Sequence, residues 1–451
     1  MGPGYTACGM AEPPLSTLSG WGRHSAQGRE LVGEDIEELS ASAHLSRGLG
    51  RSYGDSSLPP DERQAVLNTT FADRIVHFDE ETGGFRAESG LALSQLNRLL
   101  MPRGYFTPVS PGTGFVTLGG MVAADVHGKN QHSAGNFGDH VTALKMRVGD
   151  GRLVECSPQQ HPDLFYATIG GMGLTGHILE VEFGLRRIPS EWVWQTSRRI
   201  HDIDEFQDAL EDAATKWPYS MGWIDCLARG KNMGRGILMA GDWAEASEAP
   251  PTPPKPGFRP SLRFDWPAWV LNGLTIRAFN ELYYRKQFRR ESSGIVSHAS
   301  FTYPLDALRS WNRMYGRRGF TQYQCVLPRE AGRSSARRVL EVLTARGGAS
   351  FLCVIKDFGR ESCGVLSFPR PGITLALDIA VRDDTQALVD ALNEQVLREG
   401  GRIYLAKDSF TRREHFEAME GTRLDEFRAV RDRWDPQRRF RSAQSVRLLG
   451  D

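Results

Sequence analysis

At 451 residues the chain is too long for one simple core, so two or more domains are expected. Hydrophobic residues at 40% and charged residues at 24% are ordinary for a globular protein, and 55 Lys+Arg against 55 Asp+Glu leave no net charge. That balance excludes a global basic field for nucleic acid, so any anion site must be local. No apolar run reaches the length of a membrane span. Cys8, Cys156, Cys226, Cys325, Cys353 and Cys363 show no CxxC spacing, so reduced, mostly buried thiols are expected and no metal. The opening MGPGYT formally matches an N-myristoylation pattern, but Pro3 fits it poorly, and an extended, disordered start is expected. These features read as a cytosolic protein able to lie against a membrane.

In chain order, SRGLGRSYGDSS (46–57) comes first, with Gly48, Gly50 and Gly54 around Arg51, Ser52 and Tyr53. ALSQLNRLL (92–100) predicts a helix with Leu93, Leu96, Leu99 and Leu100 on one face. PGTGFVTLGG (111–120) and DVHGKN (125–130) follow. GGMGLTG (170–176) has GxGxxG spacing, but helix-like HPDLFYAT precedes it and the alternating strand HILEVEFGLRRI (177–188) follows. A dinucleotide fingerprint needs the reverse order, so a tight helix-to-strand turn is the better account. A helix is expected over 203–217, and proline-rich EASEAPPTPPKPGFRP (245–260) reads as a mobile loop. Strand-like FTQYQCVLP (320–328), FLCVIKDFG (351–359) and ITLALDIAV (373–381) alternate with helices at RSSARRVLEVLTARGG and DDTQALVDALNEQVLREGG. In the latter, Asp384 suits an N-cap and Gly400–Gly401 a stop. The fold class is α+β, with an antiparallel sheet in the second domain.

Successive glycines leave backbone N–H groups unshielded, and two such runs beside DVHGKN favour a diphosphate-bearing cofactor. RGLGRSYGD, the PGT stretch with its T-x-GG, the DVHGKN-x-HSAG-x-FG block and GLTG-x-I together resemble the decaprenylphosphoryl-ribose 2'-oxidase family, FAD proteins of vanillyl-alcohol-oxidase type. The likeness runs from GWGR (20–23) through FTYPLDALRSWNRMYG, LSFPRPG and GGRIYLAKDS. It implies a two-domain oxidoreductase: an FAD-binding domain over 1–189, completed by 402–451, and a substrate domain over 190–401. It also implies oxidation of a secondary hydroxyl of a polyprenyl-phosphorylated pentose to a keto-sugar. That is the first half of a ribose-to-arabinose 2'-epimerisation in cell-wall arabinose biosynthesis, completed by a separate NADH-dependent reductase. A sugar, aldonolactone or nucleoside oxidase of the same fold, using oxygen, is the alternative. A flavoprotein without turnover is a second.

The resemblance places FAD against Ser46, Arg47, Gly48, Leu49, Gly50, Arg51, Ser52, Tyr53, Gly54, Asp55 and Ser56. It also places FAD against Gly112, Thr117, Leu118, Gly119, Gly120, Ala124, Asp125, Val126, His127, Ile178 and Tyr404. Wider relatives attach flavin through a histidine in the first loop. Tyr53 stands there instead, so non-covalent FAD is expected. Lys407, His127 and Tyr53 are the implied catalytic residues. Lys129, Thr302, Gln322, Gln324, Lys356, Thr374 and Ala376 are the implied substrate contacts, for a sugar phosphate or lipid-linked sugar. A desolvated lysine near flavin can serve as a base, and alternation puts Gln322 and Gln324 on one strand face. Thr374, Ala376, Ala124 and Thr302 replace asparagine, cysteine, cysteine and tyrosine of mycobacterial members, which leaves the sugar and its tail open.

Overall fold

A computed structural model describes residues 13–255, 257–267, 269–348 and 351–451. MGPGYT and Cys8 lie outside the described residues. The short strands between glycine turns form two sheets before residue 185. In one, the hairpin Leu15–Ser19 and Ser25–Val32 continues through parallel pairing to Ala65–Asn68 and Leu45–Arg47. The other orders Ile75–Phe78, Gly84–Glu88, His177–Gly184, Val141–Arg147 and Leu153–Cys156 as antiparallel neighbours. Val181 and Phe183 of its central strand are buried with Phe85, Leu144 and the helix Leu93–Leu100. One expectation fails on this helix: Leu99 is 48% exposed, and Asn97 is buried in its place, donating to Tyr303 Oη at 2.9 Å. A helical turn from Leu93 returns to positions 96, 97 and 100, and position 99 falls on the far side. GGMGLTG connects the helix Pro162–Thr168 to the strand His177–Gly184, in the order its flanks predict.

From residue 192 one eight-stranded sheet takes over. Its order is Glu291–Ser297, Trp192–Ile200, Gly236–Trp243, Tyr219–Ile224, Cys353–Phe358, Gly372–Ala380, Phe320–Pro328 and Arg402–Ile403. All these neighbours are antiparallel. One face packs Tyr323, Cys325, Ile355, Leu375 and Leu377 under the helices Ile203–Lys216, Ser335–Ala345 and Thr385–Arg398. The alternate residues point the other way, toward the glycine loops. Every residue of Phe320–Pro328 is therefore buried, because both faces are covered. Asp202 caps its helix by accepting from Asp204 N and Glu205 N. Asp384 occupies the N-cap position of Thr385–Arg398, but its carboxylate makes no cap bond. Gly400, at φ +68°, ends that helix as expected. The described part of 245–260 holds no helix or strand. Cys156, Cys325 and Cys353 are buried free thiols and Cys226 is buried, whereas Cys363 is exposed.

The helices Arg413–Glu420, Thr422–Trp434 and Ala443–Leu449 return to the first region. Buried Arg431 donates through Nε to Leu174 O at 3.1 Å. Arg447 grips Asp55 with two bonds, 2.8 and 3.0 Å, and meets Asp408 at 2.9 Å. This charge cluster pins the first glycine loop to the last helix. Asp55→Ala is expected to lower unfolding stability by about 2 kcal/mol, less than a fully buried pair loses because Arg447 keeps Asp408. Urea denaturation monitored by tryptophan fluorescence measures it.

Candidate active site

One cavity of about 1220 Å³ opens where the glycine loops meet the polar face of the eight-stranded sheet. Close approach of the loops explains the glycines. A Cβ on Gly48 would stand 2.2 Å from Thr117 Oγ1, and one on Gly128 would stand 2.4 Å from Asn130 Oδ1. Gly112 and Gly173 have nothing within 4 Å of a built Cβ and line the cavity, so any side chain there would enter it.

The DVHGKN turn is fixed from beneath. Asp125, at φ +39°, accepts from Gly138 N (2.9 Å), Asn136 Nδ2 (2.8 Å) and Ser367 Oγ (2.5 Å). Gln131 accepts from Gly359 N and donates to Arg360 O, tying this block to the end of the strand that bears Lys356. The turn thus holds His127 at the cavity wall, packed by Phe358 and Tyr404.

Hydrogen bonding fixes the ring's proton. Thr374 Oγ1 donates to Cys325 O at 2.8 Å and so accepts from Gln324 Nε2 at 3.2 Å. That same amide lies 3.0 Å from His127 Nε2, which must accept. The imidazole proton therefore sits on Nδ1, 3.5 Å from Lys356 Nζ. Burial, then Lys356 and Lys407, hold His127 well below the ordinary histidine range, so the ring stays neutral. It is built to orient its neighbours, and proton acceptance falls to a lysine.

Lys407 follows the last strand, in a turn joined to the first loop by Tyr53 N donating to Ala406 O at 2.9 Å. Its Nζ lies 3.9 Å from the Tyr53 ring centroid. Burial lowers Lys407 to about 7, opposed by the Asp378 carboxylate and assisted by Lys356. Lys356 is lowered by burial to about 8, and Lys129 by burial and Lys356 to about 7. Lys129 Nζ donates to Thr302 O at 3.0 Å. Burial raises the Tyr53 phenol well above its usual range, so it stays protonated.

Most residues expected at the site converge on this wall: Ser46, Gly48 to Tyr53, Ser56, Gly112, Thr117, Gly119, Gly120, Ala124, Val126, His127, Ile178 and Tyr404. Lys129, Gln322, Gln324, Lys356, Thr374, Ala376 and Lys407 join them. Six do not. Arg47 turns back to Ser19 O and Ser57; Asp55 is consumed by Arg447; Asp125 is wholly internal. Leu118 is core, Gly54 abuts Asp408 O, and Thr302 serves Lys129 through its carbonyl.

Asp378 was not foreseen. Its carboxyl is buried, accepts from Gln322 Nε2 (2.5 Å) and Tyr315 Oη (3.2 Å), and is pushed by burial up to about 7. Its signal was in the sequence: it is the period-two continuation of Thr374 and Ala376, a lone acid in an apolar strand. Ser89 was also missed; its buried Oγ has no partner among the described residues and lies in the cavity wall.

An orphaned hydroxyl, two glycines facing open space and a volume above that of ordinary ligand pockets fit a dinucleotide plus substrate. Residues 41–157 match an FAD binding domain family. Decaprenylphosphoryl-beta-D-ribose oxidase of Mycolicibacterium smegmatis is 33% identical over 97% of this chain and 98% of its own length. The chain belongs to this oxidase family. An uncharacterized Streptomyces coelicolor protein is 34% identical over 79% of this chain and its full length. D-arabinono-1,4-lactone oxidase of Yarrowia lipolytica is 26% identical over 41% of this chain and 38% of its own. This member of the family is an FAD-dependent oxidoreductase acting on CH–OH groups, rather than a flavin scaffold.

Gly112→Leu is expected to leave the fold intact but strip FAD, read as loss of flavin absorbance after gel filtration with an unchanged far-ultraviolet spectrum. Because Tyr53 cannot form the histidyl link, acid precipitation should leave all flavin in the supernatant. A yellow pellet would contradict this.

Proposed function

We propose that the substrate is a polyprenyl-phosphorylated pentose, oxidised at a secondary hydroxyl to the keto-sugar, with ribose C2' the position acted on. The observation that carries this reading is one cavity with two chemistries. At the sheet, Gln322, Gln324 and three lysines can hold a sugar and a phosphodiester. Beyond them, Trp223, Met239, Ile276, Phe279 and Leu308 make an apolar wall suited to a prenyl chain. The full-length likeness to the mycobacterial enzyme named for such a substrate supports it.

Bound FAD supplies the acceptor for the hydride that leaves the carbinol carbon. The unprotonated Lys407 amine takes the hydroxyl proton, and burial keeps that amine available near neutrality. Tyr53 fixes its direction. Asp378 is a positioning residue, whose charge sets how readily Lys407 holds the proton. Gln324, locked by Thr374 and His127, orients the sugar. Lys129 and Lys356 counter the phosphodiester. The keto-sugar then needs a hydride donor, which a separate NADH-dependent reductase would provide; that coupling would keep both enzymes where NADH is made, in the cytoplasm.

Anaerobic mixing with candidate sugars tests the reading. A short-prenyl phosphoribose should bleach the flavin, whereas free pentoses, nucleosides and aldonolactones should not; bleaching by an aldonolactone alone overturns it. Lys407→Met should slow flavin reduction by about 10²–10⁴-fold with FAD retained. The wild-type reduction rate should rise with pH through about 7, as the Lys407 amine loses its proton. Asp378→Asn removes the carboxylate that raises Lys407, so this limb should move to lower pH; an unmoved limb denies Asp378 the role. Thiol-directed inhibitors should form no adduct at Ala376.

A further inference from the structure

The helix Gly273–Lys286 is apolar on two opposite faces. Inward, Ile276, Asn280 and Tyr284 are buried; Asn280 Nδ2 donates to Asp225 Oδ1 at 2.8 Å, and Tyr284 packs with Trp223 and Ile237. At helical spacing, Leu274, Ala278 and Leu282 fall on the opposite side. Leu274 is 78% and Leu282 72% exposed. A helix at the surface of a soluble protein carries polar residues there. Its flanks repeat the anomaly: Phe258, Phe264, Trp269 and Phe288 are each more than two-thirds exposed. Seven of the fifteen exposed large apolar side chains among the described residues fall between 258 and 288, so this is a concentration rather than scatter.

Charge is concentrated there too. Residues 255–290 contain eight Lys or Arg against two acids, in a chain with no net charge. Lys255, Arg259, Arg263, Arg277, Arg285, Lys286, Arg289 and Arg290 are all exposed. The same segment is the outer wall of the cavity, which it lines with Trp266, Val270, Leu271, Ile276, Phe279 and Tyr283. The irregular strap 257–267 is anchored beside that opening by Leu262 N donating to Arg309 O and Trp266 N to Arg313 O. No helix among the described residues is long and apolar enough to cross a membrane.

We propose that the strap 257–267 and the outer face of Gly273–Lys286 dock on an anionic lipid bilayer, with the cavity mouth at the membrane surface. Aromatic and leucine side chains beside clustered arginines are the composition of an interfacial helix. A second copy of this chain fits worse, because a symmetric contact would set two such basic faces against each other. The use of this surface, delivery of a prenyl-linked substrate without passage through water, rests on the reading proposed above; the docking rests on exposure and charge.

Flotation of the FAD-loaded full chain with vesicles tests it. The protein should float with equimolar phosphatidylglycerol and phosphatidylcholine, and float less as salt rises or with phosphatidylcholine alone. Leu282→Asp with Phe288→Asp should weaken binding by at least about tenfold, and Arg277→Glu with Arg289→Glu by a similar factor, at roughly fivefold per charge lost. Both variants should keep wild-type flavin content and reduction by a soluble short-prenyl phosphoribose. The proposal is overturned if the wild type stays in solution, if both variants float as it does, or if sedimentation shows a dimer that the Leu282–Phe288 variant splits. Flotation without bleaching by any phosphopentose removes the substrate reading and keeps the surface; bleaching without flotation does the reverse.

Discussion

Three lysine amines face one cavity, Lys129 buried and Lys356 and Lys407 partly so, and the remaining features of the site answer to that constraint. Desolvation disfavours ammonium, and the Lys356 amine raises the cost for Lys129 and Lys407. Lys129 has the Thr302 carbonyl, Lys356 the Gly128 carbonyl at 3.3 Å, and Lys407 the Tyr53 ring and the field of Asp378. The neutrality of His127 follows first from its own burial and then from Lys356 and Lys407. An anion in the cavity would oppose that cost by favouring the ammonium form of whichever amines it approached.

Such a cluster persists only on rigid supports. Lys356 stands on an interior strand of the eight-stranded sheet, and Lys407 follows the edge strand Arg402–Ile403. Lys129 and His127 stand on the turn held by Asp125 and Gln131. The glycines on the opposite wall let backbone approach without side chains intervening. The outer wall, by contrast, is irregular strap and a single helix. The polar end therefore has fixed geometry, while the apolar end can accommodate length.

Much of this was legible along the chain. Alternation in FTQYQCVLP placed Gln322 and Gln324 on one face, because a strand's period of two survives whatever packs on it, and the family resemblance placed Thr374 and Ala376 at the same site. The helix-before-strand order around GGMGLTG was enough to discount a dinucleotide fingerprint, although Met172, Gly173 and Gly176 still line the cavity. The failures share a cause. Leu99 was assigned inward by hydrophobicity, whereas helical phase turned it outward. Asp125 and Asp55 belong to motifs that surround the cofactor region, yet their carboxylates are spent on Asn136 and Arg447. Motif membership places the backbone; it does not aim the side chain.

The sequence by itself determined the α+β class, the glycine-rich loops, the neutral overall charge and the oxidase family, since these follow from local pattern and motif. Only the tertiary structure decided that Asp378 stands near Lys407, that Gln324 fixes the proton of His127, and that a helix near residue 280 roofs the same cavity as a loop near residue 50. Each of those depends on contacts between segments far apart in the chain. Desolvation, which sets the lysines' protonation, is a property of the enclosed volume and exists only once the sheet and loops have closed around it.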